Sequence, residues 1–224
     1  MKISGLKILA LPLVFALMSG VAASAQIVSD GNFNWSSSGY QYQPTGSPED
    51  AWAFTGGTGI QSNGSAWGFS NAPNGAAQTA FLQSWSGTPG GGITVGEPTS
   101  TISQTVAITP GDWYTVSFYL AERGGYTPNP VTVSIGGDTL TTITPSSDAW
   151  KEYSVSFQAP AGPDTLTFSV TDPIGQNSYD IDTGLADVSM NVPEGGASSQ
   201  YLLLAGLVCF GAMFASRKPL GSRA

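Results

Sequence analysis

Apolar and polar residues alternate one by one along much of this chain, most clearly over residues 100–120, STISQTVAITPGDWYTVSFYL. In the first run Ile102, Gln104, Val106 and Ile108 share one face, with Ser103, Thr105 and Ala107 on the other. In the second run Tyr114, Val116, Phe118 and Leu120 oppose Trp113, Thr115, Ser117 and Tyr119. A period of two over both runs predicts half-buried antiparallel strands. Between them stands Thr109-Pro110-Gly111-Asp112. Proline presets φ at the second turn position and glycine tolerates positive φ at the third, so a type II turn closing a hairpin is expected. Alternating side chains leave an apolar row that only a second sheet can cover.

The same reading runs along the rest of the middle region. Residues 26–35 open with a short apolar strand and continue into Asp30-Gly31-Asn32-Phe33; residues 40–50, rich in Pro, Ser and Gly, read as a loop. Residues 51–60, 65–69 and 78–85 are strand candidates, with turns at Asn63-Gly64 and Asn74-Gly75, and 86–92 is a glycine-rich loop. After a loop at 122–129, Val131, Val133 and Ile135 face Leu140 and Thr142 across a compact hairpin turned at Gly136-Gly137-Asp138. Tyr153, Val155 and Phe157 form another row, as do Leu166, Phe168 and Val170. Tyr179 and Ile181 share one parity and Ala186, Val188 and Met190 the other, which predicts a bulge near Thr183-Gly184. About ten short strands with Gly/Pro turns, and no amphipathic helix before Tyr201, predict an all-β, two-sheet antiparallel jelly-roll sandwich over residues 26–190.

The two ends have a different texture. Residues 1–25 carry Lys2 and Lys7, an apolar run from Ile8 to Met18 and then Ala23-Ser24-Ala25, the layout of a cleavable signal peptide. Residues 191–224 begin with the breaker Val192-Pro193-Glu194-Gly195-Gly196, continue into the apolar run Tyr201–Ala215 and end on a basic stretch opening with Arg217-Lys218. The apolar run, taken with its flanks as about 199–216, is just long enough for a tilted transmembrane helix, and the basic end 217–224 would stay cytoplasmic.

Charge narrows the chemistry. The formal net charge is −8, and five of the seven basic residues lie in the two ends, which leaves Arg123 and Lys151 against all fifteen acids. Such a surface repels nucleic acid. It suits solubility outside the cell, or carboxylates that bind calcium. Histidine is absent, which excludes imidazole-based catalysis and His-ligated zinc or copper. The single cysteine, Cys209, has no partner in this chain for an internal disulfide. No G-x-S-x-G, H-E-x-x-H, P-loop or EF-hand pattern occurs, and the expectation is that the protein is not an enzyme.

The order Val192-Pro193-Glu194, apolar helix, Arg217-Lys218 resembles the PEP-CTERM sorting signal of Gram-negative bacteria, with Gly195 where the commonest form has a second proline. That resemblance implies processing by an exosortase, a membrane cysteine transpeptidase. It implies an inner-membrane-tethered intermediate and then transfer to the cell surface or extracellular matrix. The middle region, through Tyr40–Pro44, Trp52–Ile60, Ala80–Gln83, Ile102–Val106, Tyr114–Phe118 with Ala121 and Arg123, and Asp182 with Asp187-Val188, resembles galactose-binding-like jelly-roll domains. Its layout is similar to carbohydrate-binding modules and DUF642 cell-wall domains. In similar modules a structural calcium joins the first strand to the last. The resemblance places Asp30, Asn32, Asp180, Asp182 and Asp187 as its candidate ligands, oxygen donors of the right kind. These acids equally suit turn caps facing water.

A sugar ring stacks on an aromatic face while its hydroxyls take hydrogen bonds. Trp35, Tyr40, Tyr42, Trp85, Trp113, Tyr119 and Tyr126 are candidates for that work; each also has the alternative of packing under a loop or against a second sheet. Arg123 is expected to fix its loop through an ion pair with Glu122, Asp180 or Asp182. The resulting expectation is an exported surface or matrix protein with a non-catalytic sandwich that contacts polysaccharide. The alternatives are an adhesive matrix protein that binds other proteins and, third, a polysaccharide-active enzyme.

Overall fold

The computed structural model describes residues 27–34, 38–45, 51–84, 99–171 and 181–192. Their strands are, in chain order, β1 (Tyr40–Tyr42), β2 (Ala53–Thr55), β3 (Gly57–Ser62), β4 (Gln78–Ser84), β5 (Thr99–Thr105), β6 (Trp113–Glu122), β7 (Val131–Ile135), β8 (Asp138–Ile143), β9 (Lys151–Gln158), β10 (Thr165–Thr171) and β11 (Ile181–Asn191). The only helical element among the described residues is a 3₁₀ turn at Pro73–Gly75. One sheet, here sheet A, runs β1-β3-β4-β11-β6-β9, and sheet B runs β2-β5-β10-β7-β8. Every pairing among these eleven strands is antiparallel. The protein is an all-β, two-sheet antiparallel sandwich.

The predicted apolar rows meet between the layers. Ile60, Leu82, Leu120, Phe118, Val116 and Leu185 come from sheet A; Ile102, Val133, Ile135, Leu166, Phe168 and Val170 come from sheet B; all are buried. Phe118 of sheet A meets Phe168 of sheet B edge-on, with ring centroids 5.2 Å apart. Trp52 lies 6.3 Å from Phe168 and anchors its indole N–H on the Asp30 carbonyl at 3.0 Å. The outward rows of sheet B are hydroxyls: Thr101, Ser103 and Thr105 on β5, Thr165, Thr167 and Ser169 on β10. Short cross-strand hydroxyl bonds tie them, such as Thr55 to Thr101 at 2.8 Å.

Several local expectations are corrected. The turn at Thr109–Asp112 forms, with the Asp112 amide donating to the Thr109 carbonyl at 3.1 Å and Gly111 at φ 85°. The hairpin does not, because β5 lies in sheet B and β6 in sheet A. Two apolar rows bury more surface facing each other across the core than lying side by side, so residues 106–112 carry the chain between layers. Residues 27–34 form turns rather than a strand, tied to β11 by Ile27 N–H to Met190 and Val188 N–H to Gly31. Residues 40–42, read as loop, are the edge strand β1. Residues 65–69, read as a strand, are not one; they cross the outside of sheet A. The bulge in β11 falls between Ala186 and Ser189, where Asp187 takes φ 47°, and not at Thr183-Gly184.

Gly31 shows how closely the opening segment is fitted. A Cβ there would stand 1.8 Å from the Val188 carbonyl oxygen. Backbone must move to admit it, so Gly31→Ala is expected to lower stability by about 1–3 kcal/mol. Chemical denaturation checks this; an unchanged midpoint would show that residues 27–34 are not held against β11.

Among the described residues no helix is long and apolar enough to cross a membrane. The expected leader, the apolar tail, Pro193, Glu194, Gly195, Arg217 and Lys218 lie outside the described residues; Val192 is the last of them.

Candidate functional site

Most strands bury one face, but β4 reads Thr79-Ala80-Phe81-Leu82-Gln83, apolar on both parities at its centre. Ala80 and Leu82 join the core, while Phe81 points out of sheet A and is nevertheless fully buried. Its cover is the segment between β3 and β4, which lays Trp67 and Phe69 over the sheet. Trp67 stacks on Phe81 at 4.4 Å. Glycines make room for these rings: a Cβ on Gly59 would stand 2.5 Å from the Phe81 ring, and one on Gly184 would stand 2.6 Å from Trp150 and 2.9 Å from Phe69. Asn63 pins the segment through both amide atoms, to the Ala76 carbonyl and the Ala72 amide. Trp150 holds it from β9's side, donating to the Ser70 carbonyl at 3.2 Å. A second small core therefore lies on the outside of sheet A.

Around it the rings continue to the surface. Tyr40 and Tyr42 project from β1 on the same side, 6.2 Å apart and edge to face. Tyr42 meets Phe81 at 5.2 Å and donates its hydroxyl to the Gln83 side-chain oxygen at 2.6 Å. Tyr40 lies on Trp67 at 4.8 Å and stays 48% exposed. The Arg123 guanidinium also sits 4.5 Å from the Trp67 indole ring and 3.9 Å from the ring of Tyr126. A guanidinium this close to two rings is held by cation–π attraction to both. Tyr126 is itself 40% exposed. The indole N–H of Trp67 is buried and meets no hydrogen-bond acceptor among the described residues.

The row Tyr40, Trp67, Arg123, Tyr126 is held from below. Arg123 Nη1 donates to Asp182 Oδ2 at 2.9 Å, and Asp182 is fully buried. This is one of the ion pairs expected from the sequence. The turn Arg123–Tyr126 closes with the Tyr126 amide on the Arg123 carbonyl at 3.0 Å, with Gly125 at φ 83° in the position that needs it. Past it, Asn129 donates through its backbone to Thr183 Oγ1 and through its side chain to the Ile181 carbonyl, clipping the loop to β11.

Of the predicted aromatic residues, Tyr40, Tyr42, Trp113, Tyr119 and Tyr126 all lie on this side of sheet A, while Trp35 and Trp85 lie outside the described residues. Trp113 is 57% exposed but starts β6, ten residues before Arg123, about 33 Å away along the strand. Tyr119 is half-buried and donates weakly to Glu152 at 3.4 Å. Trp67, Phe69, Phe81 and Trp150 are site residues that sequence reasoning missed. The legible signal was β4's apolar run on both parities, together with Gly59 and Gly184 inside strands.

Three of the five candidate metal ligands are engaged with protein groups. Asp30 accepts from the amide and side chain of Asn34 at 2.9 and 3.0 Å, Asp182 holds Arg123, and Asp187 takes the Asn74 side chain. The buried side-chain oxygen of Asn32 meets no donor among the described residues, and Asp180 lies outside them. Among the described residues no three acid, histidine or cysteine side chains group closely enough to hold a metal ion.

Residues 76–178 match the family described as “Protein of unknown function (DUF642)”. No curated protein matches the chain. Solved structures with a similar fold include the K1 cleaved adhesin domain of Lys-gingipain from Porphyromonas gingivalis W83, at 16% identity and a TM-score of 0.47, over 70% of this chain and 98% of that one. Another is the CBM22-1 xylan-binding domain of Paenibacillus barcinonensis Xyn10C, at 12% identity and a TM-score of 0.45, over 71% of this chain and 99% of that one.

Proposed function

We propose that this chain is an exported, non-catalytic protein whose sandwich holds polysaccharide against the outside of sheet A. One observation carries the proposal: the Tyr40–Trp67–Arg123–Tyr126 row, locked from below by a buried ion pair and ending in two rings that remain 48% and 40% exposed. A rigid aromatic ledge of this kind stacks on the apolar face of a sugar ring at little cost in side-chain freedom. The buried carboxylate beneath the ledge, Asp182, is taken by the Arg123 guanidinium. No imidazole exists in the chain to act as a base. In this reading residues 1–25 are a removable leader, 26–190 the sandwich and 191–224 a sorting tail. The tail is read by an exosortase at Val192–Gly195, held in the membrane by its apolar run and stopped by Arg217-Lys218.

The test is affinity electrophoresis of the protein through gels containing soluble polysaccharides. Tyr126→Ala and Tyr40→Ala are each expected to weaken binding about tenfold, roughly 1.4 kcal/mol. Both rings are half-exposed, so melting temperature should move little. Retention unchanged in both variants would remove the ledge from the binding surface. Binding to a protein partner with no glycan retained at all would favour the adhesive alternative.

A further inference from the structure

The aromatic ledge lies in a negative field. Among the described residues the only cations are Arg123 and Lys151. Arg123 is ion-paired with Asp182 and covered by two rings, and Lys151 places its ammonium 5.2 Å from Tyr153, a ring that packs toward the core. Carboxylates, by contrast, flank the ledge in the open. Asp148 is exposed and its Oδ2 lies 4.0 Å from where a Cβ on Gly124 would stand, beside the turn that carries Tyr126. The Glu122 amide donates to the Ser147 carbonyl at 2.9 Å, which keeps the Asp148 segment at that turn. Farther along the same side of sheet A, Glu152 on β9 is exposed opposite Tyr119 of β6, four residues before Arg123, and takes a long contact of 3.4 Å from the Tyr119 hydroxyl.

Exposed tyrosine faces with carboxylates beside them make the surroundings that recognise an ammonium group. We infer that the ledge takes a polysaccharide bearing free amino groups, a polymer of hexosamine units, in preference to its acetylated form and against uronate polymers. This deepens the polysaccharide-binding reading and rests on it. The rings supply stacking common to all sugars; Asp148 and Glu152 supply the selection, because an amine on a stacked sugar reaches a carboxylate while a uronate meets like charge.

Matched ligands separate the two claims. Glucosamine oligosaccharides, their N-acetylated counterparts, neutral β-glucan oligosaccharides and oligo-uronates are titrated by calorimetry against the full-length protein at low and high salt. The amine form is expected to bind about tenfold tighter than the acetylated form at low salt, with the gap narrowing as salt screens the carboxylates. Oligo-uronates are expected to bind weakest. Asp148→Asn/Glu152→Gln should remove most of the amine preference while leaving acetylated and neutral ligands unchanged. Asp112→Asn/Asp138→Asn, an equal change in net charge away from the ledge, should keep it. Equal affinity for amine and acetylated forms, or a preference lost equally in both double variants, overturns the inference while leaving the binding reading intact. No affinity for any of the four ligand classes overturns both.

Discussion

Asp182→Ala is expected to cost about 3–5 kcal/mol of stability, measured by urea denaturation, because it removes the buried carboxylate paired with the Arg123 guanidinium. The pair is short, at 2.9 Å, and the two side chains are 10% and 0% exposed. Solvent cannot replace the lost carboxylate at such depth. The same change should loosen Tyr126, whose ring rests on the guanidinium at 3.9 Å, and so weaken glycan binding alongside stability. A paired replacement sharpens the expectation. Arg123→Met with Asp182→Leu removes both charges and fills similar space, so it should recover much of the stability lost in Asp182→Ala. It should not recover the binding, since a thioether does not hold the Tyr126 ring as a guanidinium does. A loss below about 1 kcal/mol for Asp182→Ala would place this pair with screened surface bridges and overturn the account of the ledge.

Phe168→Ala should be as damaging, by about 3–5 kcal/mol, with a fall in melting temperature on the order of 10 °C. Phe168 is fully buried where the two layers meet, against Phe118 at 5.2 Å and Trp52 at 6.3 Å. Removing the ring opens a cavity that neither sheet can close without breaking ladder hydrogen bonds. Phe168→Leu keeps most of the volume and should cost under about 1.5 kcal/mol. Binding at the ledge is expected to survive in the fraction that stays folded, because Phe168 is in sheet B and the ledge is outside sheet A. If Phe168→Ala barely lowered stability, the two rows would not form the common core described above.

The aromatic ledge also explains why individual site residues were read unevenly. Tyr40, Tyr42, Tyr119, Trp113 and Tyr126 attracted notice because they stand in loops or opposite a core row. The structure puts all five on one side of one sheet. Local pattern assigns Trp67 and Phe69 to a strand, because an aromatic pair two apart mimics alternation. Their backbone is instead a crossing segment, fixed by Asn63 and Trp150, which are local and distant contacts respectively.

What the chain determined by itself was the set of local elements: where period two holds, which parity is greasy, where Pro-Gly, Asn-Gly and Gly-Gly force a turn, and that Arg123 needs an acid. Those follow from backbone sterics and burial, which act over a few residues. What only the tertiary structure decided was assignment of strands to layers, with Ile102 and Phe118 entering the core from opposite sheets. It also decided the docking of Trp67 over Phe81 and the burial of Asp182 against Arg123. Those outcomes depend on which surfaces far apart in sequence bury one another best, and that free energy exists only once both layers are in place.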